Sequence, residues 1–294
     1  MSKNLTIDFY KVTVSEESNL SFNDILQKII TISIAQRSQE VRFQPVFLYE
    51  AKYGWEHTWE GEIVRLRMDN IPVKGNLAGT IEDFKLADDE GIGEQSAFIY
   101  HPATRILALQ SNKHGVSPGN FAKYFELMIG SNTSIYLDPV LQLDAMQRFN
   151  KMNSVSKFHI NIAALGNMSI FESSGLEEFA NLTKVFQAPA INMELKVSRQ
   201  KQSSLSVAKV RNAAESLLRI SHQNSSQVKT VRISGSSDDN EHIFIDLLKD
   251  KMREYIKIQS SSKKRNIPYP ERQIALRDAW KKRESEIFQM HEIC

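Results

Sequence analysis

The chain has 294 residues, 41% of them hydrophobic, with 37 Lys/Arg against 35 Asp/Glu; it can bury one large core or two smaller ones, and no apolar run is long enough to cross a bilayer. Its only cysteine is Cys294, which excludes an intrachain disulfide and a multi-cysteine zinc site and fits a reducing compartment. The opening residues Met1 to Thr6 lead directly into alternating sequence with no apolar stretch or small-residue cleavage site, so a cytoplasmic location is expected.

Periodicity predicts strands and helices mixed along the whole chain. Residues 5–14 read as a strand, 21–35 as a helix capped by Ser21 or Asn23, and 41–49 and 59–68 as strands. A polar stretch rich in Asp and Gly covers 82–95. Ser96 to His101 and Arg105 to Gln110 form the arms of a hairpin turned at His101-Pro102-Ala103-Thr104, where Pro fixes φ and removes a donor. The strongest helix signal follows: Ser117 as N-cap, Pro118 at the first position, a stripe of Phe121, Tyr124, Phe125, Met128 and Ile129, and Gly130 as the stop.

Past the midpoint, Lys157 to Ile162 alternates, with Phe158, Ile160 and Ile162 inward and Lys157, His159 and Asn161 outward. Residues 175–186 read as a helix, and Ile191 to Val197 as a strand with Ile191, Met193, Leu195 and Val197 inward. A helix over 205–220 gathers Val207, Val210, Ala214, Leu217 and Leu218 on one face and Lys209, Asn212, Ser216 and Arg219 on the other. Val228 to Ser234 and His242 to Leu248 form a second hairpin, with a further strand at 254–259 and a closing helix from Pro270 to Gln289. The fold class is mixed α/β (α+β), in two domains built from antiparallel or mixed sheets with flanking helices. The boundary is set at Asn150, giving an acidic region 1–150 and a basic region 151–294.

Charge motivates that boundary. Residues 1–150 hold 14 Lys/Arg against 19 Asp/Glu, a net of −5, whereas 151–294 hold 23 against 16, a net of +7. From Leu195 to Gly235 the cations Lys196, Arg199, Lys201, Lys209, Arg211, Arg219, Lys229 and Arg232 face one acid, Glu215, and Lys263-Lys264-Arg265 form a second basic cluster. Cations on exposed faces with few acids to neutralise them can take phosphates and release counterions, which gives salt-dependent affinity for duplex DNA without sequence preference. No zinc finger, basic zipper or ribonucleoprotein aromatic motif predicts base readout.

Catalytic patterns are scarce. The histidines (His57, His101, His114, His159, His222, His242 and His291) stand far apart, and Gly91-Ile92-Gly93 lacks the third glycine and following helix of a nucleotide loop. No Gly-x-Ser-x-Gly occurs. Asp88-Asp89-Glu90 is expected to be a solvated loop, because a hard cation needs oxygens converging from several turns of chain. Glu194-Leu195-Lys196 puts a carboxylate and an amine on one strand face, as a metal-dependent nuclease requires, but the companion acid that would complete it is missing nearby. No cofactor, metal site or catalytic residue is therefore assigned, and the nuclease centred on Glu194 and Lys196 is the alternative reading.

Ile7-Asp8-Phe9-Tyr10, Leu86-Ala87-Asp88-Asp89-Glu90 with Gly93, Ser96-Ala97-Phe98-Ile99-Tyr100 and Ile106-Leu107-Ala108 together resemble the RexA family of lambdoid phage. The likeness extends through Ile191 to Val197, the basic helix around Lys209, the second hairpin and Ala275 to Ile287. It implies a two-domain homodimer with an RdgC-like fold that binds DNA without sequence preference and acts in phage exclusion with a membrane-protein partner. Tyr49 to Trp59, the stretches near Ser203 and Gln223, and Lys263-Lys264-Arg265 have no counterpart, so no DNA-contacting residue is carried over from the resemblance.

Overall fold

In β1 (Ser2–Val14) alternate residues face opposite ways, so Ile7 and Phe9 are buried on one side and Tyr10 and Val12 join a second core on the other. The computed structural model describes residues 2–15, 18–130, 133–163, 181, 185–188, 190–197, 203–223, 228–239, 241–259 and 266–293. After β1 comes α1 (Phe22–Ile30), opened by a capping box: Ser21 Oγ accepts from the Asp24 amide at 3.2 Å, and the Asp24 carboxylate accepts from the Ser21 amide at 2.9 Å.

The strand expected over 41–49 is instead a hairpin of β2 (Gln39–Val41) and β3 (Gln44–Tyr53), turned by Arg42 and Phe43 with φ of 52° and 65°. Two-residue turns of this hand usually carry Asn-Gly, which adopts positive φ without strain. β4 (Trp59–Arg67), the two-residue pair β5 (Lys74–Gly75) and β6 (Ile81–Glu82), and the hairpin of β7 (Ile92–His101) and β8 (Ile106–Ser111) follow. Next is α2 (Pro118–Ile129), capped by Ser117 and stopped at Gly130 with φ of 92°.

These strands form an eight-stranded sheet in the order β14-β1-β8-β7-β4-β3-β2, with β9 (Ile135–Pro139) also on β1 and β14 (Arg253–Gln259) closing the row. α1 and α2 cover the face that carries Tyr10, Val46, Ile63, Phe98 and Leu107. α5 (Tyr269–Ile293) lies against β7, β8, β1 and β14, where Ile7, Ile99 and Ala108 are buried, and buries Ala275, Leu276, Ala279, Trp280 and Ile287.

Beneath α5 the sheet carries carboxylates. Glu60 accepts two bonds of 2.6 Å from the Arg277 guanidinium and one of 3.0 Å from Gln273, and buried Glu62 pairs with buried Arg272. Burial pushes the Glu62 carboxyl up, against the opposing pull of the Arg272 guanidinium.

Between β9 and β14 the chain builds a separate compact unit, Asp138–Met252, so the first unit is discontinuous: Met1–Leu137 with Arg253–Cys294. The units part at these two points, not at Asn150. The charge contrast shrinks accordingly: the discontinuous unit holds 23 Lys/Arg against 23 Asp/Glu and the insert 14 against 12. The C-terminal segment 253–294, with 10 Lys/Arg against 6 Asp/Glu, belongs with the acidic segment 1–137, with 13 against 17, and offsets its charge.

The insert contains α3 (Leu143–Lys151), β10 (Ser154–Ala163), β11 (Ala190–Lys196), α4 (Val207–Gln223), β12 (Val228–Ser236) and β13 (His242–Asp246), with its four strands antiparallel in the order β11-β10-β12-β13. Phe158, Ile160, Ile162, Val231, Ile233, Ile243 and Ile245 form its core with Ala145 and Phe149 of α3 and Val210, Ala214, Leu217 and Leu218 of α4. α3 and α4 therefore lie on one face of this sheet. Leu195, expected inside, is 37% exposed on the edge strand β11. The helix expected over 175–186 falls almost wholly outside the described residues.

Arg37 closes the edge of β3 beyond the short β2. Its guanidinium donates to the carbonyls of Ile30 (2.9 Å) and Ile32 (2.8 Å) at the end of α1 and to Leu48 of β3 (3.3 Å), which also suits the negative pole of a helix C-terminus. Tyr124 Oη accepts from the Leu48 amide and donates to the Arg37 carbonyl, both at 3.0 Å.

Two stability measurements check this packing. Leu217 is fully buried, and Leu217→Ala is expected to cost about 2 to 5 kcal/mol in urea unfolding, whereas Lys209→Ala on the exposed side of α4 should change it by less than about 0.5 kcal/mol. Arg272→Ala, which strands Glu62, is expected to cost about 3 to 5 kcal/mol, while Glu62→Leu with Arg272→Met together should be close to neutral.

Candidate functional site

The insert's sheet has two unlike faces. Register aligns Glu194 of β11 with His159 of β10, His159 with Arg232 of β12, and Arg232 with Asp246 of β13. In the neighbouring rows Lys196 aligns with Lys157, Ser234 and Phe244, and Asn192 with Asn161 and Thr230. Directly opposed residues on antiparallel strands share a face. Since Phe158, Ile160, Ile233 and Ile245 face the helices, these polar rows occupy the side away from α3 and α4.

Glu194 organises one end of the face. Its two oxygens each take an amine, Lys157 Nζ at 2.5 Å and Lys196 Nζ at 2.5 Å. Hydrogen bonds from Lys157 and then Lys196 hold its carboxyl down at about 2. At the other end the Arg232 Nε donates to Asp246 at 2.9 Å. Between them, a ring nitrogen of His159 meets Asn192 Oδ1 at 2.9 Å.

This arrangement leaves the nuclease reading of Glu194 and Lys196 without its second acid among the described residues, because His159 stands across from Glu194 and Lys157 across from Lys196. Two amines occupy the carboxylate that would have to hold a metal ion. Among the described residues no three His, Cys, Asp or Glu side chains come together as metal ligands. Asp88 and Asp89 lie in an exposed turn, closed where the Glu90 carboxylate accepts from the Ala87 amide at 3.0 Å.

The structure divides the cations expected to bind DNA. Lys196 and Arg232 share the open strand face. Lys209 is exposed on α4, and that helix packs on the opposite side of the sheet. Arg211 joins the two helices: its guanidinium lies 4.9 Å from the centre of the Phe149 ring and donates to the Phe149 carbonyl at 3.0 Å. Lys229 is exposed on β12 at a register shift. Arg199, Lys201, Lys263, Lys264, Arg265 and the side chain of Arg219 lie outside the described residues. Of the described cations, Lys196 and Arg232 on the strands and Lys209 on α4 lie on opposite sides of the insert's sheet.

Lys157, Asn161, Asn192 and Phe244 were not among the expected site residues. The outward parity of Lys157 and Asn161 is visible in sequence. Their convergence with β11 and β13 depends on cross-strand register, which no local pattern encodes.

The profile of a family described as of unknown function, DUF6731, matches residues 1–269, ending at the first residue of α5. A search of curated proteins found no match. Among the described residues no helix is long and apolar enough to cross a membrane.

The Glu194 trio makes a pH prediction. Its carboxylate is expected to stay ionised and bridged to both amines above the usual carboxylate range, and to lose them as pH falls through about 2. In an NMR titration of the Glu194 side-chain carbon, Lys157→Met should move the midpoint upward; a midpoint near ~4.3 in the unsubstituted protein would contradict the bridge.

Proposed function

We propose that this chain, which belongs to the DUF6731 family, is a non-enzymatic cytoplasmic protein that binds DNA without sequence preference through its inserted unit. One observation carries the reading: a four-stranded sheet with α3 and α4 on one side and, on the other, a row of solvent-accessible polar side chains that includes Lys157, Lys196 and Arg232. Cations set on strands at fixed spacing suit a repeating phosphate backbone, and contacts to phosphate carry no sequence information. Glu194 and Asp246 temper the charge of this face, which favours modest affinity that falls with salt. The likeness to RexA adds a homodimer, a role in phage exclusion and a membrane-protein partner to the proposal.

The test is binding of the full chain to unrelated duplexes across a salt series, with and without magnesium or manganese. Affinity is expected to fall linearly in log salt and to be indifferent to sequence and divalent ion. Glu194→Gln releases Lys157 and Lys196 and should tighten binding, with a slope steeper by about one. Divalent-dependent nicking of plasmid that Glu194→Gln abolishes would replace this reading with the nuclease.

A further inference from the structure

Phe244 is out of place on a merely solvated face. Its neighbours in sequence, Ile243 and Ile245, are buried in the core, so strand alternation turns Phe244 to the open side, where its ring is 49% exposed. Its cross-strand neighbour is Ser234, too small to cover it. The backbone beneath it is fixed, because Arg148 Nη1 donates to the Phe244 carbonyl at 2.6 Å. The ring is therefore presented from a rigid strand with its cross-strand side uncrowded.

The same row continues from Phe244 through Ser234 to Lys157 and Lys196. Lys157 is two strand spacings from Phe244, about 10 Å in an ordinary sheet. The intervening row supplies a histidine, His159, and a guanidinium, Arg232; the third supplies Asn161, Asn192 and Thr230. An exposed ring at one end, amines at the other, and amides and hydroxyls alongside match the parts of a nucleotide chain with unpaired bases: a π face, a phosphate and polar edges. A duplex offers no free base to the ring, since its bases are stacked within the helix. A lone exposed Phe on a polar face also fits poorly with a basic peptide, which the cations would repel.

We propose that the open strand face of the insert binds single-stranded nucleic acid, with a base stacked on Phe244 and the backbone phosphates at Lys157 and Lys196. This rests on the reading above and deepens it by naming the strandedness. Glu194 then has a second role: it holds the two amines side by side before the phosphate arrives, and yields them to it.

Fluorescence anisotropy with the full chain separates the possibilities, using a labelled mixed-sequence single strand and a blunt duplex of the same length. The single strand is expected to bind at least about tenfold more tightly. Phe244→Ala should weaken it roughly tenfold, the loss of one base–aromatic stack, and Phe244→Trp should retain it. Neither change should affect the duplex. Thermal melting of both variants checks that they fold, as an exposed ring predicts. Salt-dependent duplex binding with no preference for the single strand, or a folded Phe244→Ala variant that binds the single strand like the parent, would overturn this inference and leave the DNA-binding reading intact. Binding of neither oligonucleotide at low salt would overturn both.

Discussion

The first strand carries the architecture, and one ion pair fixes where the chain rejoins it. β1 lends one edge to β8 and the other to both β14 and β9, so the insert departs and returns along the same strand. Arg253, the first residue back, stands in register with Asp8 and donates to it twice, at 2.5 and 2.8 Å. Asp8 is buried, and its bidentate partner compensates the cost of that burial. Burial, and next the nearby Asp8 charge, push the Tyr10 hydroxyl up, so the phenol at this corner stays neutral. An insertion anchored in this way can form its own core without disturbing the eight-stranded sheet.

Local signals were legible where local physics decides the outcome. The helix after Ser117 has its cap, its starting proline, its stripe and its terminal glycine within fourteen residues, from Ser117 to Gly130, and the hairpin ahead of it is marked by Pro102. The turn at Arg42-Phe43 was not legible, because the residues that take positive φ there are not those that favour it. The insertion was hidden for a different reason: β14 pairs with β1 from across more than two hundred residues of chain. Dividing the sequence by charge put α5 on the wrong side of the boundary, since the acids it neutralises, Glu56, Glu60 and Glu62, lie far upstream.

The candidate site shows the same split between parity and register. Period-two alternation separated Phe158, Ile160 and Ile162 from Lys157, His159 and Asn161, and the insert keeps that separation. A list of cations could not show that Lys196 and Lys209 belong to opposite sides of one layer, or that Arg211 is occupied by Phe149. What defines the face is a set of neutral and oppositely charged neighbours around three cations. That mixture limits nonspecific attraction, and it gives the face hydrogen-bonding groups that a bare basic patch lacks.

The closure at Arg37 bears on how copies of this chain could join. A strand added beside β3 would need the amide and carbonyl of Leu48, and Tyr124 and Arg37 already occupy them. Charged or occupied edges are how soluble sheets avoid indefinite growth. At the opposite end of the row, β14 has β1 on one side and no described strand on the other. A strand approaching β3 at Leu48, by contrast, would first have to displace Tyr124 from the Leu48 amide and Arg37 from its carbonyl, and freeing Arg37 would also uncap the end of α1.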